Sequence, residues 1–131
     1  MRFMLFVYPM GGLQRYLNGE GPDPKLVEKM MKYNEELMKA GVMLSGEGLA
    51  PPTMNATRLT WSGGKPSVKD GPFAEAKEVV GGYWIIQTKT KEEAVEWARR
   101  APFPDGDMIE IRQIFSPEDY SPEVQAAAKQ K

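Results

Sequence analysis

The sequence contains no cysteine and no histidine. Without cysteine there is no disulfide, thiol nucleophile or thiolate metal site. A reducing cytoplasm is compatible with that composition. Without histidine there is no imidazole to act as a base near neutral pH, no Ser-His-Asp relay and no histidine-ligated metal. Any proton transfer falls to a carboxylate, lysine or tyrosine with a shifted pKa. Zinc and copper lose their usual ligands, leaving only an all-oxygen magnesium or calcium site conceivable. The acidic residues lack the spacing of a calcium-binding loop, so neither metal nor cofactor is expected. An excess of one charge is also missing, because 17 Lys and Arg stand against 18 Asp and Glu. That balance provides no basic footprint for direct nucleic-acid binding. No apolar run approaches the roughly 18 residues of a membrane span. Residues 1–9 are apolar but too brief for a signal core and lack a small-residue cleavage site, so they read as a first strand.

What is present describes one globular domain over residues 1–131, with 41% hydrophobic and 27% charged residues. Residues 2–8 alternate Phe3, Leu5 and Val7 with Met4, Phe6 and Tyr8. Both faces of this strand are apolar, so both are expected to be covered. Residues 9–22 are rich in glycine and proline and predict a loop with little internal order. Asp23 and Pro24 open a helix as N-cap and first helical residue. Leu26, Met30, Tyr33 and Leu37, joined by Val27, Met31 and Met38, form its core-facing stripe. Gly41 closes it. Residues 42–49 predict a second strand carrying Glu47 between Gly46 and Gly48. Flanking glycines permit close approach of a ligand or backbone, or equally a bulge.

Residues 57–61 and 65–69 flank Ser62-Gly63-Gly64 as a hairpin whose second arm, with Pro66, is an edge strand. Residues 82–88 predict a strand with Tyr83, Ile85 and Gln87 opposite Trp84, Ile86 and Thr88. Thr90 and Glu93 form a capping box for a helix burying Ala94, Trp97, Ala98 and Ala101. Residues 107–115 form the last strand, and residues 117–131 a short helical tail. Strand, helix, strand, hairpin, strand, helix, strand predicts an α+β, ferredoxin-like fold. Its antiparallel sheet carries two helices on one face. The other face then presents Met4, Phe6, Tyr8, Met108 and Ile114, which points to a homodimer with the sheets stacked.

The segment Asp70-Gly71-Pro72-Phe73-Ala74-Glu75-Ala76-Lys77-Glu78, running into Gly81-Gly82-Tyr83, is the most distinctive in the chain. A turn there places Asp70, Glu75, Lys77 and Glu78 near a strand end. This suits a polar ligand site, or simply a solvated loop. With the opening strand, Gly46-Glu47-Gly48-Leu49, Glu93-Ala94-Val95-Glu96-Trp97-Ala98 and Ile109-Glu110-Ile111-Arg112, the chain resembles the YCII-related family in its DGPF subgroup. The resemblance implies a dimeric α+β barrel in the bacterial cytoplasm and little about activity. Some relatives use a His-Asp pair, and one branch is a lyase on chlorinated aromatics. That chemistry does not transfer to a chain without histidine.

Glu110 and Arg112 share one strand face, either as a structural salt bridge or with Arg112 holding a ligand anion through its planar fork. Glu47, Asp70 or Gln87 would complete such a site, with Tyr8, Tyr83 and Trp84 as aromatic walls or as plain core. The favoured function is a homodimeric small-molecule-binding protein whose ligand, anionic or aromatic, lies in a cleft of the barrel. The alternatives are a cofactor-free lyase, isomerase or oxygenase with a carboxylate base, such as Glu47 or Asp70, and a protein-interaction module. The second alternative rests on relatives that occur beside sigma factors.

Overall fold

A computed structural model describes residues 1–74 and 78–129. The alternation near the N-terminus becomes strand β1 (Arg2–Tyr8), with Phe3, Leu5 and Val7 buried and Met4, Phe6 and Tyr8 half-buried. A 3-10 turn at Met10–Gly12 and a short helix α1 (Leu13–Leu17) follow, then α2 (Pro24–Lys39) and β2 (Met43–Gly48). The hairpin is β3 (Thr57–Ser62) and β4 (Lys65–Asp70), and β5 (Gly82–Gln87), α3 (Lys91–Arg99) and β6 (Met108–Gln113) come next. A 3-10 turn at Pro117–Asp119 and α4 (Pro122–Ala128) complete the described elements. The main sheet has the order β2-β5-β1-β6 with antiparallel neighbours. Each long helix connects two parallel strands separated by a third, which is the expected ferredoxin-like arrangement.

Burial is one-sided. Phe3, Leu5 and Val7 of β1 and Trp84 and Ile86 of β5 join Tyr33 and Leu37 of α2, Val42 and Ala94 of α3 in a single core. The polar atoms drawn into this layer are satisfied. The Trp84 indole N–H donates to Asn34 Oδ1 at 2.9 Å, and its ring meets Tyr33 edge-on at 5.3 Å. The Tyr33 hydroxyl donates to the Trp97 carbonyl at 2.6 Å, tying α2 to α3. Burial pushes the Tyr33 phenol up to about 12, with Glu36 adding to the rise and Arg100 opposing it.

Local chemistry sets the helix starts. The Asp23 carboxylate accepts from the Lys25 N–H at 2.9 Å, and Thr90 Oγ1 accepts from the Glu93 N–H at 3.1 Å. The Glu93 carboxylate in turn accepts from the Lys89 N–H, one residue earlier than a capping box prescribes.

Three expectations need correction. Residues 9–22 are not simply a loop: α1 forms there because Tyr16 anchors it, donating its hydroxyl to the Leu49 carbonyl at 2.8 Å. Tertiary contact thus stabilises a helix too short to stand alone. Met31 and Met38 leave the α2 core stripe, at 56% and 58% exposure, because only the Met30-Tyr33-Leu37 row faces the sheet. The hairpin is a separate two-stranded sheet, so both its arms are edges. Leu59, Trp61 and Val68 are exposed on it.

Leu37 has no exposed surface and lies at the centre of the helix–sheet layer. Leu37→Ala is expected to cost about 2–5 kcal/mol in urea unfolding, and a loss under about 1 kcal/mol would contradict this core.

Candidate ligand cavity at one end of the sheet

β1 and β2 finish, and β5 and β6 begin, at the same end of the sheet, since Val7 pairs with Gly82 and Ile109, and Gly48 with Gly82. The connections leaving these strands meet there. Gly81 joins two of them, its N–H donating to the Val7 carbonyl at 2.7 Å and its carbonyl accepting from the Leu49 N–H at 2.9 Å. A Cβ at Gly81 would stand 2.8 Å from the Pro9 ring, so glycine is what lets that turn rest on the strand end. A Cβ on Gly11 would stand 2.2 Å from the Asp105 carbonyl oxygen. That backbone approach lets the Gly11 N–H donate to Asp107 Oδ1 at 2.8 Å.

Between these connections, α1 and the first turns of α2 lies a cavity of about 520 Å³. Val7, Pro9, Leu26, Met30, Leu49, Pro51, Met54 and Phe103 supply apolar lining, and Arg15, Tyr16, Asp23 and Asp107 supply the charged and phenolic groups. Each polar group of the lining has one fixed partner. Tyr16 donates to Leu49, Arg15 Nε donates to the Gly21 carbonyl at 2.9 Å, and Asp23 caps α2. Asp107 differs in being half-buried where Arg15 and Asp23 are exposed: Oδ1 is held by Gly11, while among the described residues nothing hydrogen-bonds to Oδ2. Asp107 also borders a smaller cavity of about 220 Å³ beside Ala98, Ala101 and Met108. Burial raises the Asp107 carboxyl above its ordinary range, with the Gly11 hydrogen bond pulling the other way. Burial likewise raises the Tyr16 phenol.

The residues singled out from sequence lie elsewhere. Tyr8, Glu47, Tyr83, Gln87, Glu110 and Arg112 all belong to the sheet face turned away from the helices, and none lines the large cavity. Glu47, Tyr83, Phe6 and Glu110 form one row across the four strands. Glu47 and Glu110 therefore stand roughly 14 Å apart, three strand spacings, with Arg112 one pleat further along the β6 edge. Thus Glu47 and Arg112 do not converge within one chain. Arg112 Nε meets Glu110 Oε2 at only 4.0 Å, and its side chain is 70% exposed. Gln87 is exposed at the far end of β5, opposite Arg2. Trp84 is core on the helix side, where its ring covers Gly46.

Asp70 ends the separate hairpin, accepting from the Thr57 hydroxyl at 2.7 Å. Phe73 is buried beneath the Arg58 guanidinium, 3.9 Å from the ring centroid, a cation–π contact that anchors the Asp-Gly-Pro-Phe segment. Glu78 is exposed. Glu75 and Lys77 lie outside the described residues. Among the described residues no three acidic side chains gather as a metal site, and no helix is long and apolar enough to cross a membrane.

Asp107 was hidden in sequence because Pro104-Asp105-Gly106-Asp107 reads as an ordinary turn into the last strand. The available signal was the matching glycine-rich turn at residues 11–12, which has to pack against something.

A ferredoxin-like antiparallel sheet with a cavity at one end defines a small α+β domain. The YCII-related domain model matches residues 1–118, and the chain belongs to that family. The chain is also 34% identical over 77 residues to an uncharacterised protein of Rhizobium meliloti (strain 1021). That match covers 59% of this chain and 61% of the relative, about three-fifths of the relative's length.

The raised Asp107 carboxyl gives a pH signature. The native state keeps this proton over a window just above the ordinary carboxylate range, where the unfolded chain has released it. Stability attributable to this group therefore falls as pH rises through that window. Asp107→Asn removes the titration, so its stability relative to wild type should rise between pH 3 and pH 6 in urea unfolding. A difference that is flat with pH would contradict the assignment.

Proposed function

We propose that the protein is a homodimeric small-molecule-binding member of the DGPF subgroup, its ligand held in the cavity at the sheet end. The cavity carries the reading. Apolar walls with a few placed polar groups, in a volume between about 300 and 1,000 Å³, are the usual form of an organic ligand site. The Asp70-Gly71-Pro72-Phe73 sequence, with Phe73 buried under Arg58, supports the subgroup. The homodimer is supported by the face opposite the helices. There Met4, Phe6, Tyr8, Tyr83 and Ile85 adjoin one another on the two central strands and remain half-buried. Glu47, Glu110 and Arg112 on the two outer strands flank them as a charged rim. Stacking a second copy on this face removes the apolar centre from water, with two-fold symmetry as the usual solution.

A second ligand position is favoured by Arg112, whose loose contact with Glu110 leaves most of its guanidinium free for an anion at the edge of that face. The two positions predict different mutants. Met30→Trp fills the cavity and should weaken binding of naphthalene at least tenfold, measured by calorimetry, while Arg112→Ala leaves it unchanged. Unaltered naphthalene affinity in Met30→Trp would overturn the cavity reading. For the dimer, Phe6→Lys places a charge in the apolar centre, a cost of several kcal/mol if it stays buried. Sedimentation should show the wild type as a dimer at micromolar concentration and this variant as monomer or aggregate. A monomeric wild type would sink the dimer.

A further inference from the structure

We propose that Asp107 makes the cavity selective for molecules carrying an uncharged hydroxyl on an apolar ring system. This rests on the cavity reading above and goes beyond it, because it names the chemistry of the ligand. Asp107 is the half-buried carboxylate of the cavity lining: Oδ1 is fixed by the Gly11 N–H at 2.8 Å, and among the described residues nothing hydrogen-bonds to Oδ2. Asp23, the other carboxylate of the lining, caps α2 through Oδ1 and is exposed, so its second oxygen is open to water whether or not the cavity is filled. The fixed Oδ1 also orients the carboxylate, so a ligand donor meets a positioned acceptor and loses little entropy in arranging one.

Three kinds of ligand group could answer a free carboxylate oxygen: an ammonium, a hydroxyl or an amide N–H. The Arg15 guanidinium lines the same cavity and opposes a cation. A carboxylate or phosphate on the ligand would in turn be opposed by Asp107 itself. A neutral O–H avoids both repulsions, and its charge-assisted hydrogen bond is stronger than one between neutral partners. Leu26, Met30, Leu49, Met54 and Phe103 leave the rest of the molecule apolar surroundings without further hydrogen-bonding demand. A pocket group built to pair with a hydroxyl discriminates strongly against the analogue lacking it, because the acceptor is then left desolvated and unpaired.

The test uses three probes of one shape: 2-naphthol, 2-methoxynaphthalene and 2-naphthylmethylamine, titrated by calorimetry at pH 7 into the wild-type protein and Asp107→Asn. Wild type should bind 2-naphthol at least fivefold more tightly than either of the others. In Asp107→Asn the side-chain amide can present an N–H to the ligand oxygen, so the preference for naphthol over the methyl ether should vanish or reverse. Thermal melting of the variant establishes that it is folded. Should it fail to fold, the wild-type ratios decide alone. Equal binding of 2-naphthol and 2-methoxynaphthalene would overturn the role of Asp107 while leaving the cavity as an apolar site. Tightest binding of the amine would overturn the preference for a neutral group. No binding by any of the three would overturn the cavity reading itself.

Discussion

The burial of one face of β1 against two helices is the constraint from which the rest of this structure follows. Phe3, Leu5 and Val7 are covered by α2 and α3, and covering them uses both long helices. Helices joined to strands by right-handed crossovers all lie on one side of such a sheet. Met4, Phe6 and Tyr8 then remain on the far side with no helix to cover them. The same arrangement brings the connections at one strand end over the helix side, where they roof a space that the helices do not fill.

That roof depends on backbone groups approaching one another more closely than side chains allow. Gly81 under Pro9, and Gly11 against the Asp105 carbonyl, bring the turn after β1 against both the start of β5 and the loop before β6. The hydrogen bond from Gly11 to Asp107 is a consequence of that fit. Asp107 is half-buried there, its charge raised in cost, and its side chain forms part of the cavity wall. The contact that closes this part of the cavity wall is thus the one that orients the Asp107 carboxylate.

Much of the fold could be read from residue order. Alternation in residues 2–8 and 82–88 marked the central strands, and Asp23-Pro24 and Thr90 marked the helix starts by chemistry that acts over two or three residues. The failures share a cause. Helix α1, the exposed Met31 and Met38, and the separate hairpin are decided by contacts between distant segments, such as Tyr16 with Leu49. The candidate site depends still more on such contacts. Charged residues on strands drew attention to Glu47, Glu110 and Arg112; alternation gave the shared face of Glu110 and Arg112, but lateral strand order was needed to see that two strands separate Glu47 from Arg112. Asp107 becomes distinctive only when Gly11, 96 residues away in sequence, donates to it.

In the proposed division of the sheet, the apolar face takes a second copy and the cavity on the helix side takes an organic molecule. The most direct test of that division is to map backbone amide chemical shifts while titrating the folded protein with 2-naphthol. The account predicts that the largest changes fall at Gly11, Tyr16, Leu49, Gly81 and Asp107, around the cavity. Changes centred on Phe6, Tyr83, Ile85 and Arg112 would place the ligand on the opposite face and contradict it.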